Sequence, residues 1–235
     1  MPVAAIGFDL GETLLTYAET PLDWTAHYSD ALRAVGKKIG AQLTPADLSE
    51  GARVLSLYNT RRNPRRNEVS CGKIFEEIFA AWRRPAADSL EQAAEAFFGF
   101  FQQRMAAYPE SPGTLAGLRT RDVRVGVLTD VPYGMPRTFV QRDLAGAKLD
   151  RLVDVLLTSR DVGWRKPEVA GFHSLAVALG VKPEELWFVG NEEKDIAGAR
   201  AAGATAVLID RSGSLAPAWG QHHTIRNLRE ILPLV

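Results

Sequence analysis

The chain has 235 residues, 46% hydrophobic and 24% charged, which fits one large domain or a core with a smaller insert and enough apolar surface for a sizeable core. Its 28 basic and 28 acidic side chains balance, so no global pull toward nucleic acid or anionic lipid is expected. A single cysteine, Cys71, excludes an internal disulfide or a thiolate metal cluster.

The first apolar run, residues 4–8, reads as a buried strand and is followed by Asp9-Leu10-Gly11-Glu12-Thr13. From about Thr16 to Tyr108 no strand is expected. Thr44-Pro45-Ala46-Asp47 starts a helix with Leu48, Ala52 and Leu55 on one face, and Ser70 starts another. Ser89-Leu90-Glu91-Gln92 has capping-box spacing and leads into a stripe of Leu90, Ala94, Phe97, Phe101 and Met105. Arg61, Arg62, Arg65 and Arg66, set among Asn59, Asn63, Pro64 and Asn67, read as a solvated loop that could also meet an anionic substrate. The runs at residues 124–128, 154–158, 186–189 and 205–209 are continuously apolar, as in parallel strands covered on both faces. Helical segments between them give a βαβ rhythm. One of these is predicted to take Pro167 in its first turn, bury Phe172, Leu175, Ala176 and Leu179, and end at Gly180. Residues 227–232 read as a short closing helix. The fold class is therefore α/β: a Rossmann-like parallel sheet core, residues 1–15 and 109–235, with an inserted all-helical cap over 16–108.

Ligand sites in open parallel sheets form beyond the carboxyl ends of the strands. Those ends carry Asp9 after the first strand, Thr129-Asp130 after the second, Lys166 shortly after the third, and Asn191-Glu192-Glu193-Lys194-Asp195 after the fourth. A carboxylate, a hydroxyl, an ammonium and an acidic loop on one edge suit phosphoryl transfer. The carboxylate attacks phosphorus, while the hydroxyl and ammonium hold its oxygens.

This set resembles the four motifs of the haloacid dehalogenase superfamily. Asp9 with Thr13-Leu14 is similar to the first motif, Val127-Leu128-Thr129-Asp130 to the second, and Lys166-Pro167 with Phe172 to the third. The stretch from Phe188 to Ile196, followed by Gly198-Ala199-Arg200-Ala201-Ala202-Gly203, is similar to the fourth. The resemblance implies Asp9, Thr129 and Lys166 as catalytic residues, substrate contacts at Leu10, Gly11 and Asp130, and Mg²⁺ held by Asp9, Gly11, Asn191 and Asp195. It also implies a C1-type helical cap and a small phosphorylated metabolite as substrate.

Two positions depart from the family pattern. Gly11 stands where its phosphatases carry a second Asp as general acid and base, and Asn191 stands where a metal-binding Asp is usual. Halide displacement from a 2-haloacid, or a catalytically weak binding or regulatory role, are the alternatives. Asp195 could instead cap the following helix or orient Lys166, and Glu12 could replace the missing acid or simply be a solvated or capping glutamate. Cys71 is expected to have no role, and the histidines show no metal-binding pattern beyond the adjacent His222 and His223 in an expected loop. No run of about 18 apolar residues points to a membrane span, and no basic segment precedes Asp9 to make a signal peptide. A cytoplasmic monomer or homodimer, without nucleic-acid or membrane partners, is expected.

Overall fold

The computed structural model describes residues 3–17, 22–85, 89–102, 105–212 and 217–235. Six strands form one parallel sheet: β1 (Ala5–Phe8), β4 (Arg124–Thr129), β5 (Val155–Thr158), β6 (Leu186–Gly190), β7 (Thr205–Ile209) and β8 (His223–Ile225). Their order is β5-β4-β1-β6-β7-β8, so the chain reverses its direction of travel across the sheet at β1. That reversal opens the crevice in which parallel sheets bind ligands. The sheet's apolar runs need cover on both faces. One face packs on α8 (Val169–Ala178) and α9 (Glu193–Ala201) through Phe172, Leu175 and Ile196. The other belongs to a larger cluster that includes α5 (Ser111–Arg119) and α6 (Arg137–Gly146) and runs on into the helices between β1 and β4.

Those helices are α1 (Tyr28–Lys38), α2 (Pro45–Tyr58), α3 (Cys71–Ala81) and α4 (Leu90–Phe101). Thr44 and Asp47 form the capping box that starts α2, and the Ser70 side chain accepts from Lys73 N at the start of α3. Ser89 makes no such bond, so α4 begins without the expected side-chain cap. The helices meet over an aromatic core in which Trp24 stacks on Phe101 at 3.8 Å between ring centroids and on Tyr133 at 5.4 Å.

The segment 16–108 is not strand-free. β2 (Leu15–Tyr17) pairs antiparallel with β3 (Met105–Ala107), with Tyr17 opposite Met105. Met105 therefore lies in a strand and does not continue the α4 stripe. Three-residue strands are too short to show alternation, and pairing across the insert is what forms them. Positions 18–21, 86–88 and 103–104 of this segment lie outside the described residues. β8 was also unforeseen. It takes His223 out of the expected loop and stacks it on Trp187 at 4.9 Å, while His222 Nδ1 accepts from Ala206 N. Helix α8 starts at Val169, leaving Pro167 outside it, and the closing helix is a 3-10 turn, Leu228–Leu234. Among the described residues no helix is long and apolar enough to cross a membrane.

Arg61, Arg62 and Arg66 are exposed, as expected of a solvated loop, and Arg65 is half-buried. The loop's backbone is tied to the segment before Lys166 by Arg165 N donating to Arg66 O (2.7 Å) and Glu68 N donating to Gly163 O (2.9 Å). Gly134 shows how closely the two parts approach: its φ is +63°, and a Cβ there would lie 1.8 Å from Val69 O.

Candidate active site

Each chemical group expected at the sheet edge is delivered by a strand end or by the loop beyond it. Asp9 follows β1, its amide donating to Val189 O (2.8 Å) and its carboxylate buried. Thr129 ends β4, also buried, and lines the same cavity as Asp9. Lys166 reaches the site from the segment before α8. Its Nζ lies 2.6 Å from Asp9 Oδ1 and 2.6 Å from Asp195 Oδ1, and it donates to Leu128 O at 3.3 Å.

Burial sets the electrostatics. It pushes the Asp9 carboxyl up, to about 6, against the opposing pull of Lys166, and Asp195 adds to the rise. Burial also works against the Lys166 ammonium, but Asp195, Asp9 and Asp130 outweigh it and hold the proton well above the usual lysine range. The lysine therefore stays charged beside the nucleophile candidate.

Asp195 is fully buried. Its Oδ2 accepts from Asn191 N (3.1 Å) and Glu192 N (2.9 Å) at the start of α9, while Oδ1 faces Lys166. Gly190 makes room for it, because a Cβ there would sit 2.4 Å from the Asp195 side chain. Both oxygens are engaged within the protein, so the geometry favours capping α9 and orienting Lys166 over direct metal ligation.

Asp130 lines the cavity, yet its carboxylate serves as a brace. It accepts from Lys166 N (3.0 Å) and lies 3.2 Å from Lys194 Nζ and 3.8 Å from Arg165. These three cations overcome its burial and hold it below the usual carboxylate range. Leu10 and Gly11 line the cavity as expected. Glu12 sits at φ +57°, accepting from Tyr108 Oη (2.6 Å) and Thr16 Oγ1 (3.2 Å).

Sequence reasoning gave no role to Arg165, Lys194 or Asp143. Arg165 is buried against Glu68 and donates to Val131 O (2.7 Å). Lys194 and Arg61 converge on Glu192, at 2.7 and 2.5 Å. Asp143 lies on the buried face of α6 beside Val140 and Leu144, where a lone acid on an apolar stripe was the available signal. The cavity that these groups share measures about 460 Å³, and Trp24, Phe101, Tyr133, Met135 and Val140 are part of its apolar lining.

Magnesium, the implied cofactor, prefers hard oxygen donors and is commonly held by one or two carboxylates together with substrate oxygens and water. Among the described residues no group of three or more acids, histidines or cysteines could hold a metal. Asp9, Gly11 and Asn191 line the cavity and offer a carboxylate, a backbone carbonyl and an amide oxygen, an all-oxygen set with one formal charge in which Asn191 Oδ1 accepts from Thr13 Oγ1 at 3.3 Å. The donor chemistry of that set fits a magnesium ion completed by substrate and water oxygens.

A family model described as haloacid dehalogenase-like hydrolase matches residues 3–203. The chain is 38% identical over 144 residues to the phosphoserine phosphatase of Thermus thermophilus, a match covering 60% of this chain and 56% of that protein. It is 30% identical over 138 residues to (S)-2-haloacid dehalogenase 4A of Burkholderia cepacia, covering 57% of each. These matches span little more than half of the relatives' length. The crystal structure of a phosphatase from Thermococcus onnurineus superimposes with a TM-score of 0.66 at 26% identity, covering 98% of this chain and 96% of that one.

Proposed function

The chain belongs to the haloacid dehalogenase-like hydrolase family, and on that premise we propose that it hydrolyses a small phosphate monoester through an aspartyl phosphate on Asp9. The Lys166 ammonium, 2.6 Å from Asp9 and kept charged by Asp195, carries this reading. Asp9 attacks phosphorus from the end of β1, and Lys166 and the Thr129 hydroxyl hold the phosphoryl oxygens as charge shifts onto them. The leaving oxygen departs toward the cavity, and water then attacks the aspartyl phosphate and frees Asp9. Asp9, Gly11 and Asn191 would hold a magnesium ion, which would supply further charge neutralisation at the phosphoryl group. Residues 16–108 act as a cap that shuts bulk water out. The substrate is a small phosphorylated metabolite, and the protein works in the cytoplasm as a monomer or homodimer.

The apolar lining of the cavity favours one second reading, displacement of halide from a 2-haloacid by the same carboxylate, and the dehalogenase relative keeps it in play. Turnover of p-nitrophenyl phosphate is expected with Mg²⁺ and is expected to be lost without it. Halide release from a haloacid panel in the absence of any phosphate release would replace the phosphatase reading.

A further inference from the structure

An ester whose phosphoryl group is held at Asp9 must fit its other half into the rest of the same cavity, and the lining there sets what that half can be. Trp24, contributed by the segment between β1 and β4, stacks on Phe101 at 3.8 Å with 9° between the ring planes, and on Tyr133 at 5.4 Å with 27°. Met135 and Val140 line the cavity with these rings, and all five side chains are buried. Tyr133 is held against its backbone preference. Its φ is +50°, a region that bulky residues avoid, and Gly134 follows at +63°. The Tyr28 hydroxyl, 2.5 Å from the Tyr133 hydroxyl, and the Trp24 ring keep it in place. Strain of this kind persists only where the surroundings over-determine it, and it gathers at functional sites. Here it sets an aromatic ring in the lining four residues after Thr129.

The polar groups of the lining are spent on partners within the protein. Besides Lys166, which serves the phosphoryl group, the cations at the cavity among the described residues are Arg61, Arg165 and Lys194. Arg61 and Lys194 both pair with Glu192, at 2.5 and 2.7 Å, and Lys194 also lies 3.2 Å from Asp130. Arg165 pairs with Glu68. Asp143 accepts from Tyr17 Oη (3.0 Å) and Gln102 Nε2 (2.8 Å), and Glu12 accepts from Tyr108 and Thr16. A charged group on the ester's other half would have to displace one of these partners to replace its lost water, whereas an apolar group needs no partner.

We propose that the cavity selects a phosphate monoester whose alcohol half is uncharged and apolar, and that Trp24, Phe101, Tyr133, Met135 and Val140 are the residues that determine this specificity. The proposal rests on the phosphatase reading and deepens it by naming the substrate class. The rings and the two aliphatic side chains bury the apolar half of the ester. Esters that carry a carboxylate or an ammonium beside the phosphate lose that burial and meet cations and carboxylates already paired.

The test compares benzyl phosphate, ethyl phosphate and phosphoserine. All three are esters of primary alcohols, so kcat/KM reads the fit of the alcohol half rather than the chemistry of its departure. Benzyl phosphate is expected to exceed the other two by roughly 10–100-fold, which is what burying one further ring is worth. Met135→Gln and Val140→Thr keep the volume of the lining and add a polar group, and each is expected to lower the benzyl-to-ethyl ratio by about tenfold. Each ratio is internal to one preparation, so partial unfolding cancels. Equal kcat/KM for the benzyl and ethyl esters, or a preference for phosphoserine, overturns the proposal and leaves the phosphatase reading standing. A benzyl preference that neither variant lowers overturns the assignment to these residues. A wild type that releases phosphate from none of the three, nor from p-nitrophenyl phosphate, overturns the phosphatase reading and the proposal with it.

Discussion

Asp195→Asn separates the two roles open to the most deeply buried carboxylate of the site. Asp195 Oδ1 meets Lys166 at 2.6 Å and Oδ2 accepts from two backbone amides. An amide side chain has one acceptor oxygen, so it can face Lys166 or the two N–H groups but not both. Its NH₂ then confronts donors on the other side. Removing one partner of a buried pair costs about 3–5 kcal/mol, and Lys166 keeps Asp9, which sets the expectation near the lower end, about 3 kcal/mol. In a chain of this length each kcal/mol moves Tm by roughly 2–4 °C, so a fall of about 6–12 °C is expected. Calorimetric melting of both proteins in metal-free buffer reads it directly. If Asp195 served mainly as a metal ligand, those melts would agree to within about 2 °C and the difference would surface only with Mg²⁺ present, which would refute the bracing role.

Asp9→Asn should abolish turnover of every ester, and wild-type-like activity from it would remove Asp9 as nucleophile. Asn191→Asp should tighten Mg²⁺ binding and lower the Mg²⁺ concentration needed for activity, and equal affinities by calorimetric titration would take Asn191 out of the metal shell. Gly134→Ala should destabilise the fold by more than about 2 kcal/mol, since a Cβ would lie 1.8 Å from Val69 O at a φ of +63°; an unchanged denaturation midpoint would contradict that close approach. Glu192 contributes stability that is present above the usual glutamate range and lost as pH falls toward about 2. Arg61→Ala should therefore move acid unfolding to higher pH while changing neutral-pH stability by less than about 1 kcal/mol, because the Arg61 side chain is 43% exposed.

The sheet was legible in the sequence because parallel strands buried on both faces must be continuously apolar. Residues 124–128, 186–189 and 205–209 could be placed within a residue from that requirement alone. Asp9, Thr129 and Lys166 were legible for a related reason: strand ends at a switch point converge whatever the loops do. Tertiary structure decided what no local pattern encodes. β2 and β3 exist only because distant segments pair, and this pairing carries Tyr17 to the edge of the space beside Gly11. Asp195 could be a ligand, a cap or a brace by sequence. Its role depends on which donors reach each oxygen, and those donors are Lys166 and the backbone amides of Asn191 and Glu192 just before α9. Composition foretold the exposure of Arg61, Arg62 and Arg66, whereas the partners of that loop, Glu192 and the backbone before Lys166, come only from the fold. Local patterning fixes which residues can be buried together, and only the folded chain fixes which charges face one another once they are.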